Sequence, residues 1–294
     1  MQDQTFRPRR SVLYVPASNE KALAKVGSLN CDAIIFDLED AVAPAEKAAA
    51  RERLKQVFGT FQKGGAEKVI RINGLTTEWG ADDLAAARAC RPDAILLPKV
   101  ATPRDIHDAD EVLDEEDADL RIWAMIETPR AMLNLGPIAE LGRDRAARLS
   151  CFVVGTNDLA KETGIAVTND RRFLAPHLAH IVMAARAGGL DVLDGPLNDF
   201  SNATVFEDQC RQAAQMGFDG KTLIHPSQID AANKAFAPPP EALEEARAVV
   251  ATFALPENAG KGVISFNGRM VERLHLSQAE RLIARAATIT ERQS

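Results

Sequence analysis

Short apolar runs recur along the chain, each followed by a stretch with helical spacing of apolar and polar positions. The runs are SVLYV (11–15), DAIIFDL (32–38), KVIRI (68–72), DAILLP (93–98), IWAMI (122–126), CFVVG (151–155), LDVLD (190–194) and FDGKTLI (218–224). Each is short enough for a buried strand. Between them, ASNEKALAKVG reads as a first helix, and Pro44 opens a second, PAEKAAARERLKQV, with proline near its first turn. GADDLAAARAC, TPRDIHDADEVLDE and TPRAMLNLGPIAEL follow the same pattern, and DRRFLAPHLAHIVMAARAGG stops on a double glycine.

Eight strand-then-helix units predict an α/β fold, a (β/α)8 TIM barrel, whose usual length is ~250 residues. A doubly wound open sheet is the runner-up, and its Gly-x-Gly-x-x-Gly fingerprint is absent. The three prolines of KAFAPPP (234–240) cannot continue a helix and mark a boundary. Beyond it come a helix over EALEEARAVVATFA, a hairpin turning at Asn267-Gly268, and an amphipathic helix over roughly 277–291. The expected organisation is a catalytic barrel over 1–235 and a C-terminal lid or oligomerisation arm over 236–294.

Composition narrows the class. The 294 residues are 46% hydrophobic, 26% charged and 5% aromatic, as in a globular protein rich in helices. A formal charge of −7 argues against a chain built to bind nucleic acid. No apolar run reaches the ~18–20 residues of a membrane span. Cys31, Cys90, Cys151 and Cys210 have no Cys-x-x-Cys spacing, and reduced thiols together with the polar opening MQDQTFRPRR predict a cytoplasmic protein.

In a barrel, chemistry gathers where strands end and loops begin. The tips carry Asp37, Glu39 and Asp40, then Arg71 and Asn73, Lys99, Glu127, Asn157 and Asp158, Asp194 and His225. Hard oxygen donors without clustered His or Cys favour Mg2+ over zinc, with Mn2+ as the alternative. Glu127 and Asp158 end adjacent strands and can share one ion; Asp158 alone would serve equally as a helix cap. Arg71 inside KVIRIN needs an anion, either a substrate oxygen or a barrel carboxylate. Lys21 and Lys25, spaced i,i+4, would share a helix face, either solvated or turned to a phosphate-bearing ligand, with Arg9 and Arg10 adding to the same field.

The set RSVLYVPASNEKALAK, AIIFDLEDAV, VIRINGL, AILLPKV, AMIETPRAMLNL, VVGTNDLAKE and GKTLIHPSQI resembles the citrate lyase β-subunit/CoA-ester lyase family of the HpcH/HpaI aldolase group. The resemblance runs from about residue 9 to 232. It implies a Mg2+-dependent carbon–carbon lyase acting on a β-hydroxyacyl-CoA thioester of the malyl-CoA or citramalyl-CoA type. By motif, it implies that Glu127 and Asp158 bind the metal, that Glu127 and Arg71 bind substrate, and that Tyr14, Lys21 and Lys25 touch the CoA thioester. His225 and Pro226 fall at a further substrate-contacting turn.

The family's lyases carry a C-terminal Asp that acts on the adjacent subunit of a homo-oligomer, a trimer or hexamer. Its position here is taken by Glu272, in GRMVERLHL. The extra methylene carries the carboxyl about 1.5 Å further from the backbone. Glu272 is the expected proton-transfer residue, with Asp40 in reserve. That departure leaves a malyl-CoA thioesterase outcome open, and a citryl-thioester lyase subunit of a citrate lyase complex is the third reading. The acyl-CoA substrate is the only small-molecule partner implied. An aldolase for free α-keto acids fits less well, because Asp40 stands where those barrels carry His.

Overall fold

The computed structural model describes residues 6–61 and 65–293. The chain falls into two compact units, one spanning Arg9–Phe236 and the other holding Ala237 onward together with the residues before Arg9.

The first unit is a closed barrel of eight parallel strands in sequential order. In chain order its elements are β1 (Ser11–Pro16), α1 (Glu20–Leu23), β2 (Ala33–Asp37), α2 (Lys47–Phe58), β3 (Glu67–Arg71) and α3 (Gly80–Cys90). Then come β4 (Ala94–Leu97), α4 (Pro103–Asp110), β5 (Arg121–Ile126), α5 (Pro129–Leu133), α6 (Leu135–Glu140), β6 (Leu149–Val154) and α7 (Thr156–Thr163). The unit closes with α8 (Ala175–Gly188), β7 (Asp191–Asp194), α9 (Ala203–Met216), β8 (Gly220–Leu223) and α10 (Ile229–Ala235). All eight apolar runs of the sequence are strands, and the expected (β/α)8 barrel is the fold.

Side chains alternate across the wall. Val12, Ile35, Val69, Leu96, Trp123, Met125, Val153 and Leu193 fill the interior. Their neighbours Leu13, Ile34, Ile70, Ile95, Ile122 and Phe152 pack against the helices. Burial on both faces is why the strands read as near-continuous apolar runs. The barrel closes at the seam between β1 and β8, where Ser11 pairs with Lys221. Gly220 makes that approach possible: a Cβ there would stand 2.7 Å from the Arg9 carbonyl carbon.

Two helices differ from the pattern. TPRAMLNLGPIAEL splits into α5 and α6, because Pro137 has no N–H to give the Leu133 carbonyl. The first helix is a single turn. Past Leu23 the ladder tightens, with Lys25 N donating to Ala22 O at 3.0 Å, and a 3-10 turn follows over Val26–Ser28. Lys21 and Lys25 are both exposed, but they do not share the face of one continuous helix.

The strand-start end of the barrel is plugged by Arg9. Its guanidinium lies 4.8 Å over the Trp123 ring, forks onto Glu67 at 2.7 and 2.8 Å and reaches Asp191 at 2.5 Å. Arg10 forks onto buried Asp32 at 2.7 and 2.9 Å. Both arginines precede β1 and are spent on structural pairs at the end opposite the strand tips, so the shared field with Lys21 and Lys25 expected from sequence does not form.

The second unit holds α11 (Pro240–Phe253), β9 (Val263–Phe266), β10 (Arg269–Glu272) and α12 (Arg273–Gln293), packed around Ala246, Val249, Phe253, Ile264, Val271 and Ala279. Its hairpin turns at Asn267 and Gly268, both with positive φ (50° and 73°), the conformation that Asn-Gly favours. The α12 helix begins at Arg273, four residues before the amphipathic pattern becomes legible. Among the described residues no helix is long and apolar enough to cross a membrane.

Candidate active site

The strand ends carry a cluster of charge around Glu127. The β5 strand stops at Ile126, and Thr128 caps the next helix by accepting from Ala131 N at 3.0 Å, with Pro129 in its first turn. Glu127 is thereby fixed between a strand end and a helix start, 1% exposed. Its Oε1 accepts the backbone N–H of Lys99 at 2.7 Å. On its other side lies Gly155, just past β6, where a Cβ would stand 2.5 Å from the Glu127 Cβ and closer still to Oε2.

Burial, and after it the negative charge of Glu39, push the Glu127 carboxyl up to about 8; Asp158 adds to the rise. Glu39 itself is pushed up to about 7, chiefly by burial. Its Oε2 is buried without a hydrogen bond, although Arg71 Nη1 stands 3.0 Å away in poor alignment. Lys99 Nζ lies 3.6 Å from Glu39 Oε1.

Arg71 ends β3. Its Nε and Nη2 fork onto Asp37 at 2.7 and 2.6 Å, and its guanidinium sits 4.9 Å over the Tyr14 ring. Of the two partners the sequence left open, the structure supplies the barrel carboxylate; Nη1 is the arm left for Glu39 and, at 3.6 Å, Asp40. Asp37 also accepts from Glu39 N and Ala41 N, which ties the loop after β2 to the strand. Lys47 holds the same loop by donating to the carbonyls of Leu38 and Glu39 at 2.8 and 2.9 Å. Burial first, with Asp37 and Glu127 helping, raises the Tyr14 phenol above its ordinary range.

Asp158 is the third residue of α7 rather than a strand tip; Gly155 occupies the cap position. It is half-buried, and near enough to act electrostatically on both Glu127 and Lys99. Its neighbour Asn157 exchanges two amide hydrogen bonds with Asn198, at 3.0 and 3.2 Å, joining the start of α7 to the loop after β7.

Asp194 does not join the cluster. It is held by Arg171 and Lys221 at 2.6 Å each, with all three side chains buried. Its residue alternates with the inward Leu193, which turns it to the helical side of the wall. His225 is exposed, stacked on Phe200 with ring centroids 4.7 Å apart, and Pro226 opens the turn after it. Asn73 donates to Leu38 O and Asp83, a structural use. Glu272 belongs to the second unit and is exposed.

A cleft of about 400 Å³ opens beside Glu39, Asp40 and Lys99, lined also by Val42, Leu97 and Val100. Glu39 and Lys99 are members that the sequence showed at strand tips without distinguishing them. The acidic DLED run was the available signal for Glu39. Nothing marked Lys99.

The donor set suits a hard divalent cation. Carboxylates with raised pKa values and an unbonded buried oxygen are what such an ion would relieve. Among the described residues no three His, Cys, Asp or Glu side chains form a cage on their own. Mg2+ commonly takes one or two protein carboxylates and leaves its other positions to water and substrate.

A family model described as HpcH/HpaI aldolase/citrate lyase matches residues 10–226. The chain is 45% identical over 282 residues to a (3S)-malyl-CoA thioesterase of Cereibacter sphaeroides, covering 96% of each. It is 31% identical over 307 residues to the mitochondrial citramalyl-CoA lyase of Rattus norvegicus, covering 99% of this chain and 90% of the relative. Among solved structures, CitE of Mycobacterium tuberculosis in complex with magnesium, acetoacetate and coenzyme A is similar with a TM-score of 0.75 and 29% identity, covering 95% of this chain and 98% of that one.

Proposed function

The chain belongs to the HpcH/HpaI aldolase/citrate lyase family, and from that premise we propose that it cleaves the carbon–carbon bond of a malyl-CoA-type β-hydroxyacyl thioester at a Mg2+ site on the strand tips. The observation that carries this reading is the crowding of buried acid around Glu127, whose carboxyl is raised by burial first and then by Glu39 and Asp158, beside Arg71. Glu127 and Asp158 would hold the ion, Mg2+ or Mn2+. When bound, it would supply Lewis-acid polarisation of the substrate's hydroxy-acid oxygens. Carbon–carbon cleavage draws directly on that end of the substrate. Hydrolysis acts at the thioester carbon further along.

The protein's own residues complete the reaction. Arg71 offsets negative charge through Nη1, the arm not bonded to Asp37, which in the structure reaches Met125 Sδ at 3.7 Å and Glu39 at 3.0 Å. Tyr14 keeps its proton and is a donor to the thioester oxygen. Asp40, exposed at the rim, accepts the hydroxyl proton. The bond between the hydroxyl-bearing carbon and the thioester α-carbon then breaks, its electron pair passing to the thioester as an enolate. An α-keto acid, glyoxylate or pyruvate, is left. Glu272, contributed by a neighbouring copy in a homo-oligomer, returns a proton to the enolate carbon. Lys21 and Lys25 attract the CoA phosphates, and His225 and Pro226 border the entry.

Thioester hydrolysis is the second reading, favoured by the (3S)-malyl-CoA thioesterase that matches nearly the whole chain. Incubating the purified chain with malyl-CoA and with citramalyl-CoA, with Mg2+ or with EDTA, separates the two. Acetyl-CoA together with the keto acid supports the lyase, while free CoA together with the hydroxy diacid supports hydrolysis. Full turnover in EDTA would remove the metal from both.

A further inference from the structure

Lys99 follows β4 and Pro98 with φ of 51°, in the left-handed region. Outside glycine this conformation is uncommon, and Asn tolerates it better than most residues. Arg91 and Arg148 also adopt it, but as the caps that end helical turns; Asn267 does so in a hairpin, and Arg171 in the turn ahead of α8, where its side chain holds Asp194. Lys99 ends no helix. The Pro98–Lys99 peptide at the end of β4 points its N–H at Glu127 Oε1, 2.7 Å away, and the left-handed torsion turns the chain that follows toward α4 without moving that amide. The side chain makes no comparably close contact: it is 51% exposed, with Nζ 3.6 Å from Glu39 Oε1.

The Glu127 carboxylate is therefore held from two directions. The Lys99 amide fixes Oε1, and the bare backbone of Gly155 admits Oε2. We infer that Lys99 is a positioning residue that works through its backbone: its amide holds Glu127 Oε1 so that Oε2 is presented to the ion, and its left-handed torsion lets the chain turn away to α4 while that amide stays in place. This rests on the reading that Glu127 binds Mg2+. It assigns Lys99 a requirement for a torsion and leaves its charge dispensable to metal binding.

The test is a substitution series at one position, read by titration calorimetry of Mg2+ into the metal-free, full-length protein, with melting temperature measured alongside. Lys99→Gly and Lys99→Asn keep the torsion accessible and should bind within about threefold of wild type. Lys99→Ala should bind several-fold more weakly. Lys99→Val, β-branched and strained at positive φ, should lose about tenfold or more. If the valine variant does not fold, the order of glycine, asparagine and alanine carries the result. A flat series overturns the inference, including one in which only melting temperatures fall. So does a glycine variant that loses as much as valine, since the ammonium would then be the active part. Failure of the wild type to bind Mg2+ would remove the metal reading and this inference with it, a result distinct from a flat series.

Discussion

Gly155 and Glu127 interlock across the β5–β6 boundary: the carboxylate occupies the space that a side chain at 155 would need. Gly155→Ala should therefore displace Glu127 while leaving the barrel folded. Mg2+ affinity should fall by about tenfold or more, on the scale of an ångström-level misplacement. Calorimetric titration checks this, and unchanged affinity would show that the carboxylate has room to spare.

The metal-free site should couple ion binding to protons. Burial raises Glu127 to about 8 and Glu39 to about 7, so between these values and the ordinary carboxylate range the metal-free site holds extra protons. An ion binds the deprotonated form. Mg2+ affinity should thus rise with pH between 6 and 8, by about tenfold per unit where one proton is released, and level off above the Glu127 value. Calorimetry in buffers of different ionisation enthalpy counts the protons. A pH-independent affinity over that range would contradict the prediction.

Arg71 forks onto Asp37 with both side chains nearly inaccessible. Arg71→Met leaves a buried carboxylate without its partner and should cost about 3–5 kcal/mol of stability. It should also reduce kcat by about 100-fold or more, the loss associated with one oxyanion donor. Arg71→Lys keeps the charge without the fork and should fall between. Denaturant melts and steady-state kinetics on the same preparations separate the two effects.

The two basic groups should behave in opposite ways. Arg9→Met removes the buried plug over Trp123 and should lower stability, again by about 3–5 kcal/mol, with the KM for the CoA thioester unchanged. Lys21→Ala and Lys25→Ala should raise KM several-fold, more at low salt than at high, with stability unchanged within about 0.5 kcal/mol. A KM effect from Arg9 would restore the shared field that its pairing with Glu67 argues against.

Acid should cost stability at the wall rather than at the rim, whose raised carboxyls take up protons first without weakening the fold. Burial alone would raise the Asp194 carboxyl, but Lys221 and Arg171 outweigh it and hold it below its ordinary value. A depressed folded pKa gives stability that is present above the unfolded value of about 3.9 and lost as pH falls through the folded one. Asp194→Asn should flatten the acid limb of the stability curve while lowering the neutral plateau. Urea melts between pH 2 and 7 provide the check.

What the sequence disclosed follows from the range of the interactions involved. Strands buried on both faces announce themselves as apolar runs, and Thr128-Pro129 marks where β5 must stop, so Glu127 was legible at its tip. Pairings such as Arg9 with Glu67 or Arg71 with Asp37 join residues far apart in sequence, and no local pattern reports them. Lys25 carried a helical spacing that the backbone abandons after Leu23. Asp158 looked like a strand tip because its glycine cap, Gly155, extends the apolar run by one residue. The torsion at Lys99 had no sequence signal, since lysine is not the residue that such a position leads one to expect.

The seam between β1 and β8 has a consequence for biosynthesis. Ser11 leaves the ribosome well ahead of its partner Lys221, which is among the last parts of the barrel to be made. At ordinary elongation rates the interval is on the order of ten seconds or more. Throughout it, one margin of the first strand has no neighbour to bond. A nascent chain in that state is a template for misplaced pairing, and the newborn polypeptide is most in need of chaperoning just before its eighth strand arrives.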